Sequence, residues 1–228
     1  MKNDYLNGTN YIVQQGTEMF HFGSDTELLG RFMDIHTSDS VLDIGTNNGA
    51  LLLYAARRRP RKLTGIDLFE EVIQVAMNNC KQNQVEASFY VTPVQQFRGE
   101  KFDAIVCNPP YFNTSEIRLI NENKYLKAAR HEEFLTLTDL FESVHFLLKS
   151  NGRFFLVYRP QRLTEVLIEA NKVGLTVVRM KVAYQSIHKN AKTILLEFRN
   201  ALNPQVTIEA PAFLNDRMTF GWKGIGEV

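Results

Sequence analysis

The tetrapeptide Asn108-Pro109-Pro110-Tyr111 follows the apolar stretch 102–107 and combines residue types that can activate a nitrogen nucleophile. A planar amine is a poor nucleophile because its lone pair is delocalised into the neighbouring ring or carbonyl. The Asn108 side-chain oxygen and the Pro109 carbonyl could accept the hydrogens of such an amine and free its lone pair for attack on a methylsulfonium. The prolines restrict φ and keep these acceptors preorganised, and Tyr111 offers a ring face for stacking. An Asn-Pro pair alone is also a common turn.

A second candidate site is the glycine loop, residues 43–49, which lies between a strand-like segment and a helical one. In open α/β sheets, ligands bind outside the carboxyl ends of the strands. Asp43 begins the loop, and Asp67 follows the next strand, where a carboxylate can accept hydrogen bonds from ribose hydroxyls. An NAD site expects Gly-x-Gly-x-x-Gly, whereas a carboxylate at the start of the loop suits an amine-bearing ligand better than a pyrophosphate. Taken alone, the loop also fits a purely structural turn.

The elements that must position these residues alternate between short apolar strands and longer amphipathic helices. Such alternation predicts a Rossmann-like α/β fold with a seven-stranded, mostly parallel sheet, an antiparallel last strand and helices on both faces. We expect an Asn151-Gly152 C-cap to close the helix that begins at residue 137. The predicted strands are 40–44, 62–66, 87–91, 102–107, 153–158, 175–184 and 193–198, and the predicted helices are 25–33, 50–59, 69–82, 137–149 and 160–173.

Composition places few limits on function but excludes several classes of protein. The chain has 228 residues, 44% of them apolar, and a formal net charge of +1, which argues against a polybasic nucleic-acid binder. Its two cysteines form neither a disulfide framework nor a zinc site, and we expect no metal. The first residues lack the apolar core of a signal peptide, and no apolar run could span a bilayer. These features predict a soluble, cytoplasmic protein.

The glycine loop resembles the first motif of the class I methyltransferases, Asp-x-Gly-x-Gly-x-Gly, and the chain as a whole resembles one family that carries it. That family is the bacterial tRNA1(Val) adenine-N6 methyltransferases, which modify adenosine 37, just 3′ of the anticodon. Residues 22–30 are similar to a family element that closes over the cofactor, and Ala-Arg-His-Glu at 129–132 is also shared. Two residues depart from the pattern. Asn47 replaces the middle glycine, although Asn can adopt left-handed angles, and Pro93 stands where relatives often carry an acidic residue near the adenine.

The resemblance implies S-adenosyl-L-methionine as cofactor, a tRNA anticodon loop as substrate, and a set of site residues. The implied catalytic residues are Asn108, Pro109, Pro110 and Tyr111. The implied cofactor-binding residues are Asp43, Gly45, Thr46, Asn47, Gly49, Asp67, Leu68, Ser24, Asp25 and Asn108. Candidate RNA contacts are Arg118, Lys124, Lys127, Arg130, Lys189 and Lys192. We expect a single domain with an N-terminal extension over 1–37, a core over 38–200 and a tail over 201–228.

Two other functions stay open at this point. Protein glutamine-N5 methyltransferases of the release-factor type use the same Asn-Pro-Pro-Tyr chemistry on a carboxamide, but they carry a helical N-terminal domain, and the stretch before residue 40 is short. A non-catalytic nucleotide- or RNA-binding module is the other alternative, favoured by the departures at Asn47 and Pro93. The basic run 57–62 is expected at the opposite end of the sheet as a solvated helix end, so it is a weaker RNA candidate than Lys189 and Lys192.

Overall fold

The described part of the chain forms a nine-stranded sheet and a separate two-stranded hairpin. The structure is a computed structural model that describes residues 2–15, 23–109, 135–201 and 205–214. None of the helices among these residues is long and apolar enough to cross a membrane. The strands are β1 (Lys2–Tyr5), β2 (Ile12–Gln15), β3 (Ser40–Ile44), β4 (Lys62–Asp67), β5 (Ser88–Val91), β6 (Phe102–Cys107), β7 (Leu148–Tyr158), β8 (Thr176–Tyr184), β9 (Ala191–Arg199), β10 (Thr207–Ile208) and β11 (Ala212–Phe213). The helices are α1 (Ser24–Phe32), α2 (Ala50–Ala56), α3 (Glu70–Gln82), α4 (Leu137–Leu147) and α5 (Leu163–Lys172), with 3₁₀ turns at Val94–Gln96 and Pro160–Arg162.

Strand order and direction confirm the predicted Rossmann-like class. The main sheet runs β10-β8-β9-β7-β6-β3-β4-β5, with β11 also paired to β8. Strands β3 to β7 pair in parallel, whereas β9 is antiparallel to both β7 and β8. Parallel neighbours need a crossover connection, but a short turn can join only antiparallel strands. Because β8 and β9 follow one another with no helix between them, β9 reverses direction.

The predicted count of seven strands is too low for this sheet. The two additional strands, β10 and β11, pair in parallel with β8 beside Met180 and Tyr184. Each has only two residues, which is too short to show the two-residue periodicity by which strands are predicted. The β1–β2 hairpin was also not predicted, because its eight strand residues include few consecutive apolar side chains. The division into 1–37, 38–200 and 201–228 stays a prediction.

The core lies on both faces of the sheet, and strand β7 contributes side chains to both faces. Phe154 and Leu156 point into the cluster beneath α4 and α5, whereas Phe155 and Val157 point into the cluster beneath α1 and α2. Alternate side chains of a strand point to opposite faces, so a strand covered on both sides is apolar throughout. All four side chains are fully buried. This double burial holds the carboxyl ends of the central strands in fixed positions.

Helix α4 begins where the sequence predicts but ends earlier. Thr136 and Asp139 form a reciprocal capping box at its start. The predicted Asn151-Gly152 C-cap is wrong, because the backbone leaves the helix at Leu148, which is buried and pairs with β6. A side chain at Gly152 would come within 2.6 Å of the Leu148 side chain. Gly152 is therefore needed for close packing inside β7 rather than to end a helix.

Candidate active site

Three parallel strands bring the predicted site residues to one edge of the sheet. Strand β3 lies between β4 and β6, and Ile44 pairs with Ile66 on one side and with Cys107 on the other. Asp67 and Asn108 are the next residues along β4 and β6, so they stand level with the start of the glycine loop. The loop and these two side chains therefore share the carboxyl edge where open α/β sheets bind ligands.

The glycine loop needs three residues in the left-handed region. Gly45, Asn47 and Gly49 have φ angles of 69°, 49° and 79°. The prediction that Asn47 can hold such a conformation is confirmed, and it explains how the loop keeps its turn without the middle glycine of the motif. At Gly49, which starts α2, an added Cβ would lie 3.4 Å from Ala76 of α3. The loop backbone is thus closely packed against α3.

Asp43 is a buried carboxylate that is only partly satisfied by the protein. Its Oδ2 accepts a hydrogen bond of 2.8 Å from the Thr46 hydroxyl, and its side chain is fully buried. Oδ1 is also buried and has no hydrogen-bond partner among the described residues. Burial raises the Asp43 pKa to about 7; the Thr46 bond opposes this rise, and the charge of Asp67 adds to it. An unsatisfied buried carboxylate oxygen fits an amine-bearing ligand such as the methionine part of S-adenosylmethionine.

Asp67 ties the glycine loop to the turn that follows β4. Its Oδ2 accepts from the Asn47 backbone N–H at 3.1 Å, and its Oδ1 accepts from the N–H groups of Leu68 and Phe69 at 2.8 and 3.4 Å. Burial raises the Asp67 pKa, and these three backbone hydrogen bonds oppose the rise. A carboxylate offers about four lone-pair directions, so it can still receive a ribose hydroxyl. That predicted role fits the geometry and stays a prediction.

Asn108 is oriented by a residue that the sequence did not indicate. Its Nδ2 donates a hydrogen bond of 3.0 Å to the hydroxyl oxygen of Thr26 in α1. Because Nδ2 and Oδ1 are separate substituents of the planar amide carbon, a bond that holds Nδ2 at Thr26 directs Oδ1 to a different side. Thr26 is buried and lies in the segment 22–30, whose resemblance to a cofactor-covering element pointed only to its neighbours Ser24 and Asp25.

The neighbours Ser24 and Asp25 make their observed contacts with β9 and the residue after β7. The Asp25 carboxylate accepts from the Thr193 hydroxyl at 2.7 Å and lies 3.8 Å from Arg159. The Ser24 hydroxyl accepts from the Lys192 ammonium at 3.3 Å. These contacts attach α1 to the strands beside β6 and so support the Thr26–Asn108 pair. Cofactor contacts by Ser24 and Asp25 stay a prediction.

Basic side chains line the same edge of the sheet near β7 and β9. Lys189 is exposed in the turn between β8 and β9, and Lys192 is the second residue of β9. Arg159, which the sequence did not single out, donates to the Lys192 carbonyl at 3.3 Å. The basic run at 57–62 lies between α2 and the start of β4, which confirms its predicted place at the opposite edge.

Several predicted site residues lie outside the described part of the chain. Pro109 is described and buried directly after Asn108. At the Pro93 departure, the neighbouring Thr92 hydroxyl donates to the Pro93 carbonyl at 3.2 Å. The predicted residues outside the described ranges are Pro110, Tyr111, Arg118, Lys124, Lys127 and Arg130, together with Phe22 of the upstream element.

Comparison with known proteins places this chain in a family. The sequence model of the methyltransferase small domain family matches residues 19–188, which is most of the chain. The chain belongs to this family. It is therefore an S-adenosylmethionine-dependent methyltransferase. Binding of this cofactor by Asp43, the glycine loop and Asp67 stays a prediction, and the buried Asp43 oxygen without a partner among the described residues fits it. When bound, S-adenosylmethionine supplies an electrophilic methyl group on a sulfonium.

Relatives of the methyltransferase share most of its length. It is 32% identical over 197 residues to the tRNA1(Val) (adenine(37)-N6)-methyltransferase of Proteus mirabilis, covering 83% of this chain and 76% of that protein. It is 28% identical over 201 residues to the protein of the same name from Cytophaga hutchinsonii, covering 86% and 83%. Among solved structures, a predicted O-methyltransferase from Agrobacterium tumefaciens has a TM-score of 0.62 at 16% identity, covering 84% of this chain and 87% of that one. These structural neighbours establish the fold.

Proposed function

We propose that this methyltransferase acts on N6 of adenine in RNA, and that its substrate is adenosine 37 of a valine tRNA. The observation that carries the proposal is the Asn108 amide, level with the glycine loop and oriented by Thr26 at 3.0 Å. This arrangement suits an exocyclic amine, and the names of the relatives from Proteus mirabilis and Cytophaga hutchinsonii specify adenine in tRNA. A cytoplasmic location, where tRNA is modified in bacteria, belongs to the same proposal.

The residues activate the amine by holding its hydrogens. Asn108 Oδ1 and the Pro109 carbonyl accept the two N6 hydrogens of adenine, which draws the nitrogen toward tetrahedral geometry and localises its lone pair. Asp43, the glycine loop and Asp67 would hold S-adenosylmethionine, which would supply a methyl group to the nitrogen positioned by Asn108 and Pro109 and would be released as the thioether. The alkylated nitrogen is strongly acidic, so water can take its extra proton. Rate enhancement comes mainly from positioning and from acceptors fixed before the reaction.

The RNA is held by cations on the same edge and by stacking of the target base. Adenosine 37 must leave its stack to reach Asn108, and Tyr111 is the residue predicted to stack on the flipped base. Lys189 and Lys192, with Arg159 beside them, can contact phosphates and set the position of the loop. Because the net charge is only +1, binding depends on a few local cations. Each lost lysine should weaken RNA binding and lower the salt dependence by about one ion.

The substrate can be tested by offering competing acceptors. The protein is incubated with cofactor labelled in its methyl group and with separate pools of tRNA, rRNA and release factor. We expect label in tRNA, released on digestion as N6-methyladenosine. Asn108→Ala serves as the inactive control, because it removes one acceptor while leaving the glycine loop intact. Label in release factor would instead support the glutamine methyltransferase, and label in rRNA would overturn the tRNA assignment.

The site within tRNA is tested with two transcripts of the anticodon arm. One carries adenosine at position 37 and the other carries guanosine there. Methyl transfer to the first transcript alone is the expected result. Equal transfer to both transcripts would reject adenosine 37 as the target while leaving adenine methylation intact.

A further inference from the structure

The β1–β2 hairpin is attached to the core by Asn79 of α3 and by Asn83, which caps the C-terminal end of that helix. Asn83 accepts from the Ile12 N–H at 3.0 Å and donates to the Ile12 carbonyl at 2.7 Å. Asn79 does the same with Gln14, at 2.8 and 3.0 Å. Four residues of a helix rise about 6 Å and two residues of a strand about 6.6 Å. The two amides therefore match the spacing of two peptide groups along one edge of β2.

Asn79 makes one contact that distinguishes it from Asn83. Its Nδ2 also donates a hydrogen bond of 2.9 Å to the backbone carbonyl of Asn48, in the glycine loop. Asn79 is fully buried. Asn83, one turn further along α3, instead donates to the Asn79 carbonyl at 2.7 Å. A single amide group thus holds the hairpin and the glycine loop together.

The Asn48 carbonyl belongs to a loop peptide that is hydrogen-bonded at both its carbonyl and its N–H. It shares a peptide plane with the Gly49 N–H, which donates to the Thr46 carbonyl at 2.8 Å. The residues on either side, Asn47 and Gly49, are both left-handed. A buried carbonyl without a donor is destabilising, so loss of the Asn79 bond should favour rotation of this plane. Rotation would disturb the adjoining loop residues Thr46, which donates to Asp43, and Asn47, which donates to Asp67.

We propose that Asn79 is a positioning residue for S-adenosylmethionine, because it couples the order of the glycine loop to that of the β1–β2 hairpin. The Asn79 amide bonds to both segments at once, so ordering either segment fixes the amide and lowers the cost of ordering the other. Such coupling is reciprocal. Cofactor binding at the loop should therefore stabilise the attachment of β2, and loss of the Asn79 amide should weaken cofactor binding. The inference rests on the cofactor and is independent of the RNA substrate.

The matched variants Asn79→Ala and Asn83→Ala separate this role from general support of the hairpin. Each loses two hydrogen bonds to β2, but Asn79→Ala alone loses the bond to the loop. By isothermal titration, we expect Asn79→Ala to raise the Kd for S-adenosylmethionine about tenfold, the effect of one buried hydrogen bond. Asn83→Ala, which loosens β2 but keeps the Asn79 bond to the loop, should raise the Kd by a clearly smaller factor. In methylation assays, Asn79→Ala should raise KM for the cofactor while kcat at saturating cofactor stays unchanged.

A second measurement needs only the wild-type protein, in case Asn79→Ala does not fold. Amide hydrogen exchange at Ile12 and Gln14 is followed with and without saturating S-adenosylmethionine. We expect the cofactor to slow exchange at Gln14, and this protection should persist in Asn83→Ala. Unchanged exchange in the wild type would overturn the proposal. Equal changes of Kd in the two variants, or an unchanged Kd in Asn79→Ala, would also overturn it.

Discussion

The two edges of the sheet both carry buried or half-buried aspartates, but the aspartates differ in whether a cation of the described residues pairs with them. At the amino edge, Asp39 pairs with Arg153 at 2.5 Å, and Asp103 pairs with Lys149 at 2.8 Å. At the carboxyl edge, Asp43 receives only the Thr46 hydroxyl, and one of its oxygens has no partner among the described residues. The amino edge thus pairs its carboxylates with cations of the protein, whereas the carboxyl edge keeps one carboxylate without such a pair among the described residues, as expected of a ligand-binding group.

The pKa values express the same contrast. Burial raises the Asp103 pKa, but hydrogen bonds from Lys149 and Ser40 outweigh it and lower the pKa to about 2. Burial of Asp43, opposed only in part by Thr46, raises its pKa to about 7. Perturbed carboxylates without a protein cation are frequent at functional sites. Residue type alone therefore does not separate a stabilising aspartate from a ligand-binding one, but its partners do.

The largest expected effect is on stability and lies at the amino edge. Arg153→Met removes the cation beside Asp39, whose side chain is only 5% exposed, as is that of Arg153. An uncompensated buried charge should lower the free energy of unfolding by about 3–5 kcal/mol. Urea denaturation measures this loss, and titration with S-adenosylmethionine on the folded variant should give the wild-type Kd. The double variant Asp39→Asn/Arg153→Met should recover much of the stability. A weakened cofactor affinity in Arg153→Met would contradict the separation of the edges.

Asn108→Ala should have the largest effect on turnover and little effect on stability. Removing one fixed acceptor is expected to lower kcat roughly 100- to 1,000-fold, while the Kd for the cofactor stays close to the wild-type value. Single-turnover assays at saturating cofactor and RNA measure the change.

Two variants of Thr26 test whether its hydroxyl orients the Asn108 amide for catalysis. Thr26→Val removes the hydroxyl that holds the Asn108 Nδ2 and should lower kcat about tenfold, the effect of one hydrogen bond. Thr26→Ser retains a hydroxyl and should lower it less. If Asn108→Ala turned over at the wild-type rate, the assignment of Asn108 as an acceptor would be lost.

Asp43→Asn should weaken the binding of S-adenosylmethionine without lowering the stability of the protein. Loss of a charge-assisted contact to the cofactor amine should raise the Kd for S-adenosylmethionine about 10- to 100-fold. The thermal midpoint of the cofactor-free variant should not fall, because the substitution removes a buried charge that has no cation beside it in the described part of the chain. A drop in thermal midpoint as large as that of Arg153→Met would mean that Asp43 supports the fold rather than the ligand.

The pH dependence of S-adenosylmethionine binding to the wild-type protein is a second test of the role of Asp43. The Asp43 pKa of about 7 means that the cofactor-free protein protonates this group as the pH falls below neutrality. If the cationic ligand binds the ionised form, affinity should be constant above pH 7 and decrease below it. In the cofactor-free protein, the raised pKa makes the contribution of Asp43 to stability less favourable as pH rises from about 4 to about 7. The affinity of Asp43→Asn should lack the change near pH 7.

The smallest expected effect belongs to Asp103. Its folded pKa of about 2 lies below its ordinary value of 3.8, so its contribution is present above about pH 4 and is lost as the pH falls through 2. The pair with Lys149 is part-exposed, so this contribution should be at most about 1 kcal/mol. Thermal midpoints of the wild type and Asp103→Asn between pH 2 and 6 should converge at the acid end. A constant difference across that range would show that the carboxylate charge is not involved.

The sequence alone determined the order of elements in the core and the chemistry available at the ends of three strands. Apolar runs such as 102–107 are long enough to predict strands covered on both faces, and Asn108 and Asp67 follow such runs directly. Because parallel strands align their carboxyl ends, their convergence followed from the order of the elements. Even the departure at Asn47 was predictable, since local backbone preference decides which residues adopt left-handed angles.

Only the tertiary structure decided which polar side chains meet across long separations in the chain. Thr26 lies 82 residues from Asn108, and Asn79 lies 65 residues from Gln14. No local periodicity marks such partners, because a hydrogen bond between distant elements depends on how the helices pack on the sheet. The same applies to Asp39, Asp43 and Asp103, which are one residue type with opposite surroundings. Sequence supplied the carboxylates, and packing decided which of them received a cation, because burial and distance determine the electrostatic energy of each group.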